Sequence, residues 1–596
     1  MTYQVQFLRR VRLDGFLEIA MGKILKTFYK YFFRKKAWAV IFIVLMFISP
    51  AIESFSPYFY KLFVDAIPSY DANIIMKILV TYLIVRIFAT VIDIVKMQVG
   101  DILSVDAGKE TMSSIFSHVH KLDFAFHSSK SSGSLISAFK RGDGAFWNFY
   151  FAIHFRIVDV IVRFIVLLYF FKNLDTGIFL MILVTFALTS TVTSVFVKYN
   201  IRARRKVNEF EDDISGVIVD NMINFETVKL FSKEIWEQNR LENIQSFWRK
   251  AVWKYIYTWR GFDLAMGIVV NTSMFLILIY SLKMTINKIF TIGDFVLVTS
   301  FLQSFFSHLF DLVFGLRDIA KSYADIQKYY SLLDNKVQIT DPENPKVIKS
   351  VKGEIEYKKV DFAYDIKSHK ALKNINLRIR QGQSIALVGR SGAGKTSFIK
   401  LLLRFFDPDS GNVLIDGVNI KNLNKSYLRS LFGVVPQEPI LFNSSILYNI
   451  KYGKPSATKA EILAASKMAN IYDFIENLPE KYETQVGERG IKLSGGQKQR
   501  LAIARMILSD PKIIIFDEAT SQLDSESEKL IQDAFWKASY GKTVIIIAHR
   551  LSTIQRADKI IVLEKGRIVE EGSHKDLLSR DKGLYSHFWN LQVKRE

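Results

Sequence analysis

The segment GRSGAGKT, Gly389–Thr396, has the residue types and spacing of a loop that binds phosphate. Its glycines would let backbone N–H groups wrap the phosphates, Lys395 would reach the β- and γ-phosphates, and the Thr396 hydroxyl would bind Mg²⁺. A strand-like run, residues 384–388, precedes the loop, and helical spacing follows the lysine. The sequence therefore predicts a P-loop that binds ATP and Mg²⁺ through Gly389, Arg390, Ser391, Gly392, Ala393, Gly394, Lys395, Thr396 and Ser397.

Two further apolar strands end in polar residues that suit phosphate chemistry. IIIFDEAT, residues 513–520, ends in two carboxylates: we expect Asp517 to hold Mg²⁺ and Glu518 to polarise the attacking water as general base. TVIIIAHR, residues 543–550, ends in His549, which we expect to contact the γ-phosphate. Each feature alone has a plainer interpretation, an exposed acidic pair or a surface histidine, and the P-loop upstream favours the chemical one.

Composition divides the chain into two parts, and the residues described above all lie in the second. At 596 residues the chain is too long for one core, since domains have roughly 150 residues. Long apolar runs fill it up to about residue 314, and from about residue 341 it is typical of a soluble α/β protein. A net charge of +22 fits either nucleic acid or basic loops beside a membrane, and the apolar runs favour the membrane and no nucleic acid. The absence of cysteine excludes disulfides, thiolate metal sites and cysteine nucleophiles.

Six apolar stretches are long enough to cross a bilayer core about 30 Å thick. They are Trp38–Tyr58, Ile74–Met97, Phe149–Phe171, Gly177–Val197, Phe262–Leu282 and Phe290–Leu312. A basic, aromatic segment at residues 22–38 predicts an interfacial helix on the cytoplasmic side. Six crossings return the chain to that side, so the soluble part is expected in the cytoplasm. We therefore predict an N-terminal region and interfacial helix at 1–36, a six-span domain at 37–333, a linker at 334–350 and a nucleotide-binding domain at 351–596.

Charged residues within the predicted spans have two interpretations. Arg156, Asp159 and Arg163 recur on one face of the third span, and Asp93 on the second span is a candidate partner. Ionisable groups at membrane depth face a partner or a cavity. Either they pair structurally or they face an anionic, amphipathic substrate; His308 and Asp311 at the end of the sixth span carry the same two alternatives.

With these motifs in place the chain resembles an ABC transporter of the exporter type, a half-transporter whose membrane domain precedes its ATPase domain. The resemblance covers essentially the whole length and implies an all-α six-helix transmembrane domain followed by an α/β P-loop ATPase domain. It implies that Tyr364 in DFAY stacks on adenine and that Gln437 in VVPQEP touches Mg²⁺. It likewise implies that VGERG, with Glu488, reports to the membrane domain, that Asp524 closes the D-loop SQLD, and that His549 is the switch histidine. Gln522 departs from the small residue usual in that loop.

LSGGQKQR, residues 493–500, is a second glycine-rich turn that could bind an anion, and it matches the signature of that family. In the family this turn closes over the ATP held by the other subunit's P-loop. The resemblance therefore implies that Ser494, Gly495, Gly496 and Gln497 bind the γ-phosphate in trans, at a helix N-terminus. The partner would be a second copy of the chain or a related half-transporter.

The membrane half carries resemblances of its own. LDFAFHSSKSSGSLISAF, residues 122–139, and VDNMINFETVKLFSKE, residues 219–234, resemble the two cytoplasmic coupling loops of such exporters, and TIGDFV, residues 291–296, resembles the entry into the sixth span. NFETVK is similar to the subgroup that exports glutathione-related compounds.

The expected function is ATP-driven export of a hydrophobic or amphipathic small molecule or lipid by alternating access across a bilayer, in a bacterial inner membrane. The alternative is a regulator or gated channel of the same fold that moves no substrate uphill. Intact Lys395, Glu518, Ser494 and His549 favour the exporter.

Overall fold

A computed structural model describes residues 22–130, 132–365, 369–517, 525–547, 554–580 and 582–593. The chain forms two compact units. The first comprises residues up to Leu122 together with Lys130–Lys336, and the second comprises Asp123–Ser129 together with Val337–Glu596.

The first unit is helical. Its first helix, α1, covers residues 22–32. The helices that follow in the chain are α2 (Lys36–Glu53), α3 (Ser56–Ala66), α4 (Ala72–Lys121), α5 (Phe124–Ser129, which belongs to the second unit), α6 (Ser132–Phe151), α7 (Val158–Leu174), α8 (Thr176–Ile223), α9 (Phe225–Leu230), α10 (Glu234–Ile286) and α11 (Ile292–Ser331). Side chains set several starts: the Asp71 carboxylate accepts from two backbone amides of α4, and Thr291 with Asp294 forms a capping box on α11.

Five helical segments in the described residues are long and apolar enough to cross a membrane: Lys36–Ser69, Ala72–Lys121, Thr176–Ile223, Glu234–Ile286 and Ile292–Leu316. They match the first, second, fourth, fifth and sixth predicted spans. The predicted third span falls on α6, a π-helical turn at Ala152–Ile157 and α7. It is helical, but it carries the charged residues noted above.

Ion pairs account for those charges. Arg163 on α7 contacts Glu53 on α2 at 2.5 Å and Asp159 one turn away at 2.6 Å. Arg156 contacts Asp318 on α11 at 2.5 Å. The expectation that Asp93 is the ion-pair partner of these arginines is not met, because Asp93 pairs with Lys96, three residues along its own helix, at 2.5 Å.

The second unit contains two sheets. A four-stranded antiparallel sheet has the order β2-β1-β4-β5, and a six-stranded sheet has the order β10-β9-β3-β8-β7-β6, parallel except for its edge strand β10. The strands are β1 (Ile355–Phe362), β2 (Leu372–Ile379), β3 (Ser384–Val388), β4 (Ser410–Ile415), β5 (Val418–Asn419), β6 (Phe432–Val435), β7 (Ile513–Asp517), β8 (Thr543–Ile547), β9 (Lys559–Glu564) and β10 (Arg567–Gly572).

Helices cover both faces of the six-stranded sheet, which explains why its central strands are continuous apolar runs. Along β3, Ala386 and Val388 pack into one core, while Ile385 and Leu387 pack into the other. The helices are α12 (Lys395–Leu402), α13 (Lys425–Ser430), α14 (Ile446–Lys451), α15 (Lys459–Met468), α16 (Tyr472–Glu476), α17 (Gly495–Leu508), α18 (Ser525–Ser539), α19 (His574–Leu578) and α20 (Leu584–Val593).

The Arg163 contacts predict a large effect on stability. Arg163→Met leaves the Glu53 and Asp159 carboxylates close together without their cation, so we expect destabilisation of up to about 3 kcal/mol, measured as a lower midpoint of thermal unfolding in detergent. The matched control is Arg260→Met, because Arg260 is an exposed member of an ion pair on α10 and such pairs contribute about 0–1 kcal/mol.

A triple variant that also carries Glu53→Gln and Asp159→Asn is expected to recover most of the loss, since no uncompensated charge remains. Equal unfolding midpoints for Arg163→Met and Arg260→Met would contradict this role for the cluster.

Candidate functional site

The predicted P-loop lies between a buried strand and a helix. It follows β3, whose five residues are all buried, and ends where α12 begins at Lys395. Gly394 has φ of 111°, and a Cβ atom there would lie 2.8 Å from the carbonyl oxygen of Ala371. Only glycine fits that conformation and that close approach. Gly394 therefore lets the end of the loop pack against the Ala371 backbone immediately before α12 begins.

Lys395 extends back over this loop. Its Nζ donates to the carbonyl oxygens of Gly389 at 2.6 Å and Arg390 at 3.2 Å. Burial lowers the pKa of Lys395, and the nearby Asp517 carboxylate acts in the opposite direction. The ammonium thus lies inside the loop, where a phosphate would bind, while the neighbouring Thr396 is exposed at the first turn of the helix.

The carboxyl ends of the parallel strands bring further predicted residues to the same edge of the sheet. Asp517 is the last residue of β7 and pairs in register with Ile547 at the end of β8, while β8 also pairs with β3, which leads into the P-loop. Gln437 is exposed two residues beyond β6, the neighbour of β7. The sheet therefore places the Asp517 carboxylate and the Gln437 amide at the edge from which the P-loop emerges, with β8 and β7 between β3 and β6.

Several predicted site residues lie outside the described residues. They are Glu518, which directly follows β7, His549, which follows β8, and Asp524 and Gln522 in the predicted D-loop. Glu488 is described and starts a short 3-10 turn.

Tyr364 lies beside the P-loop helix. Its hydroxyl is 3.0 Å from the Ser397 hydroxyl on α12, and its ring packs edge-on against Phe362 and Phe406. The side chain is 47% exposed, so one part of the ring is free to stack on a base.

The signature turn forms the capped N-terminus of α17. The Ser494 hydroxyl accepts a hydrogen bond from the backbone N–H of Gln497, and the Gln497 side-chain oxygen accepts one from the backbone N–H of Ser494. Ser494 and Gly495 are exposed, and the helix dipole favours an anion there. In the described part of the chain, no hydrogen bond or ion pair joins residues 494–497 to the P-loop residues 389–397. Among the described residues, the P-loop and the signature turn are thus not hydrogen-bonded to each other.

Sequence reasoning missed the surroundings of Tyr364. Lys400 on α12 and the pair Phe405–Phe406 just beyond that helix contact Tyr364 or the short helix α5. A lysine five residues after Lys395 and two adjacent phenylalanines were the available signals, but neither belongs to a motif, so their roles depend on the tertiary structure.

Comparison with known proteins matches both halves of the chain to families. Residues 39–309 match the ABC transporter transmembrane region, and residues 372–521 match the ABC transporter ATPase family. Heavy metal tolerance factor 1 of Caenorhabditis elegans is 35% identical over 82% of the chain, which spans 61% of that relative's length. An ATM1-type heavy metal exporter of Novosphingobium aromaticivorans is 33% identical over 90% of the chain and 89% of the relative.

A solved structure of a bacterial Atm1-family ABC exporter with ATP bound is also similar to this chain. It has a TM-score of 0.82 and 32% identity, and the match covers 94% of this chain and 98% of that one. The predicted fold class, a helical transmembrane domain followed by an ABC ATPase domain, and the predicted half-transporter architecture are confirmed. The chain is therefore an ATP-binding and ATP-hydrolysing multi-pass membrane protein that belongs to the ABC transporters, as a half-transporter of the Atm1 exporter family.

Proposed function

We propose that two copies of this chain assemble into an exporter in which each ATP lies between the P-loop of one copy and the signature of the other. The observation that carries the proposal is the exposed, capped N-terminus of α17, which is a good anion site but forms no hydrogen bond or ion pair with the P-loop among the described residues. The motifs of both half-sites are present in one chain, so a homodimer completes two equal sites. Pairing with a related half-transporter is the alternative.

An exposed apolar tip supports assembly with a second copy. The turn around α9 between the long helices α8 and α10 exposes Met222, Ile223, Phe225, Leu230, Phe231, Ile235 and Trp236, each at least 53% accessible. Clustered apolar side chains of this size normally mark an interaction surface. They lie on or beside the second predicted coupling loop, residues 219–234, and we propose that they dock on the ATPase domain of the other copy.

Hydrolysis at each site uses residues of the P-loop copy. Glu518 accepts a proton from water, the water oxygen bonds to the γ-phosphorus, and the bond to the bridging oxygen breaks, so that ADP leaves. Lys395 stabilises the charge on the transferred group. His549 contacts the γ-phosphate, Tyr364 stacks on adenine, and Asp524 lies at the contact between the copies.

Mg²⁺ fits the donors at this edge of the sheet. The Thr396 hydroxyl, the Asp517 carboxylate and the Gln437 amide offer oxygen atoms, which are the ligands that this ion prefers. When bound, the ion would neutralise charge on the β- and γ-phosphates.

We propose an amphipathic anion as cargo, of the class in which a thiol compound such as glutathione holds a heavy metal. The names of the Caenorhabditis elegans and Novosphingobium aromaticivorans relatives refer to heavy metals, and residues 224–229 are similar to the subgroup that exports glutathione-related compounds. The chain has no cysteine with which to hold a soft metal ion itself, so a metal would travel inside its conjugate. Arg156 pairs with Asp318 but keeps 41% of its side chain exposed, so we propose it as the cation that such an anion would approach.

We propose the topology that corresponds to the predicted division at residues 36, 333 and 350. The basic residues of α1 favour a cytoplasmic side for the N-terminus and, after six crossings, for the ATPase domain. The bacterial inner membrane stays a prediction.

Glu518→Gln tests the assignment of the general base. We expect the rate constant of ATP hydrolysis to fall about 10²-fold or more, while ATP remains bound and holds the dimer closed. Glu526→Gln, an exposed glutamate in the first turn of α18, is the matched control and should keep wild-type hydrolysis. A Glu518→Gln protein that hydrolyses ATP at the wild-type rate would show that another group is the base.

Mixed dimers test the composite sites. Differently tagged copies are purified in sequence, so that every particle contains one of each. A dimer of Lys395→Ala with Ser494→Arg keeps one intact site if the sites form in trans, and none if they form within one chain. A dimer of wild type with the Lys395→Ala/Ser494→Arg double variant keeps no intact site if the sites form in trans. It keeps one intact site, that of the wild-type chain, if they form within one chain.

We therefore expect ATPase activity in the first mixed dimer and almost none in the second. Activity in the second and not the first would show that each chain forms its own complete site.

The cargo class is tested by ATPase assays in lipid nanodiscs. We expect a mercury–glutathione complex to raise the basal rate, whereas the same concentration of the metal ion alone does not. Equal stimulation by the free ion, or stimulation by neutral hydrophobic dyes only, would contradict an anionic conjugate as cargo.

A further inference from the structure

We infer that Lys400 is a positioning residue that joins the nucleotide base site to the short helix α5. This inference rests on the proposed function, because it takes Tyr364 as the platform for adenine. The residues concerned, including α5, all belong to the second compact unit.

The Lys400 ammonium lies between two aromatic rings. Its Nζ is 5.1 Å from the ring centroid of Phe124, the first residue of α5, and 5.5 Å from the ring centroid of Tyr364. Both distances are within the range of about 6 Å in which a cation is attracted to an aromatic ring. One charge therefore links the base platform to α5.

Phe406 provides a second connection between the same two residues. Its ring centroid is 5.2 Å from that of Tyr364 at an interplanar angle of 88°, and 6.1 Å from that of Phe124 at 73°. Lys400, Tyr364, Phe406 and Phe124 thus form a closed ring of contacts. Because Lys400 and Phe406 each contact both Tyr364 and Phe124, a shift of the Tyr364 ring changes the packing around Phe124.

Helix α5 is held at its start by further contacts of two kinds. The Phe124 ring stacks on Phe405 at 4.8 Å and 19°, and Phe405 in turn lies under the Arg429 guanidinium at 4.8 Å. The Asp123 carboxylate accepts from the backbone amides of Gln338 at 2.5 Å and Ile339 at 3.2 Å. These contacts hold the start of α5 on the second unit, and Lys400 and Phe406 are the members of the cluster that also contact Tyr364.

Lys400 is well placed to combine two signals. It lies on α12, five residues after Lys395, so it moves with the helix whose N-terminus holds the phosphates. It also contacts the ring that would stack on the base. Binding of the phosphates and binding of the base would therefore both change the position of the Lys400 ammonium. That ammonium contacts Phe124, the first residue of α5.

The test measures how α5 responds to ATP in the full-length protein. The chain has no cysteine, so Ser128→Cys, at an exposed position of α5, gives a single site for an environment-sensitive bimane label. The change in bimane fluorescence at saturating ATP with Mg²⁺ is measured with and without Lys400→Met. We expect the methionine, which keeps the length of the side chain and removes its charge, to reduce that change about threefold.

Two further variants separate coupling from folding. Lys400→Arg keeps the cation and should restore most of the response, while Lys537→Met, at an exposed lysine of α18, should leave it at the wild-type size. In a double-mutant cycle Phe124→Leu should reduce the response by itself and add little to Lys400→Met.

An unchanged response in Lys400→Met, or an equal loss in Lys400→Met and Lys400→Arg, would overturn the inference. Displacement of a fluorescent ATP analogue is measured on the same samples. Failure of the labelled parent protein to bind ATP would count against the proposed function, whereas normal binding with an unchanged response in Lys400→Met would count against the role of Lys400 alone.

Discussion

The constraint that governs the rest of the molecule is that the charges of a bound triphosphate must all have partners. Several negative charges must be met by N–H donors, cations and a metal ion, since an anion left without partners in a closed site is very costly. The second unit provides one side of such a site at the carboxyl edge of its parallel sheet, where β3, β6 and β7 deliver the P-loop, Gln437 and Asp517. The other candidate anion site, the N-terminus of α17, is not joined to it by a hydrogen bond or ion pair in the described part of the chain. In the proposed dimer a second molecule closes the site, so that ATP binding drives a movement of the two copies.

The long helices of the first unit can transmit a displacement from one end to the other. Helices α4, α8 and α10 have 50, 48 and 53 residues, so each is about 75 Å long, more than twice the thickness of a bilayer core. Rods of that length extend well beyond the lipid. Within the bundle, the ion pair of Arg163 with Glu53 connects α7 to α2, and that of Arg156 with Asp318 connects the turn before α7 to α11. These pairs favour movement of helices as groups over independent sliding.

Local patterns predicted the ATPase half well. The order of strand, glycine loop and helix is decided by residues next to one another, and the structure has β3, Gly389–Gly394 and α12 in that order. Contacts between distant residues were harder to predict. Arg163 needs an acid at membrane depth, but its partner Glu53 is 110 residues away, and the candidate Asp93 pairs with Lys96 one turn along its own helix. Lys400 had no motif to mark it, because its position between Phe124 and Tyr364 exists only once the chain has folded.

The central claim is that the P-loop of one copy and the signature of another meet around ATP. The cysteine-free chain allows a direct measurement with Ser391→Cys and Ser494→Cys, two exposed positions, combined in one protein that also carries Glu518→Gln. After mild oxidation in the presence of ATP and Mg²⁺, the account predicts a covalent dimer on a denaturing gel that does not form without nucleotide or with either cysteine alone. A protein that remains monomeric on that gel under saturating ATP, or that forms the same disulfide within one chain, would contradict it.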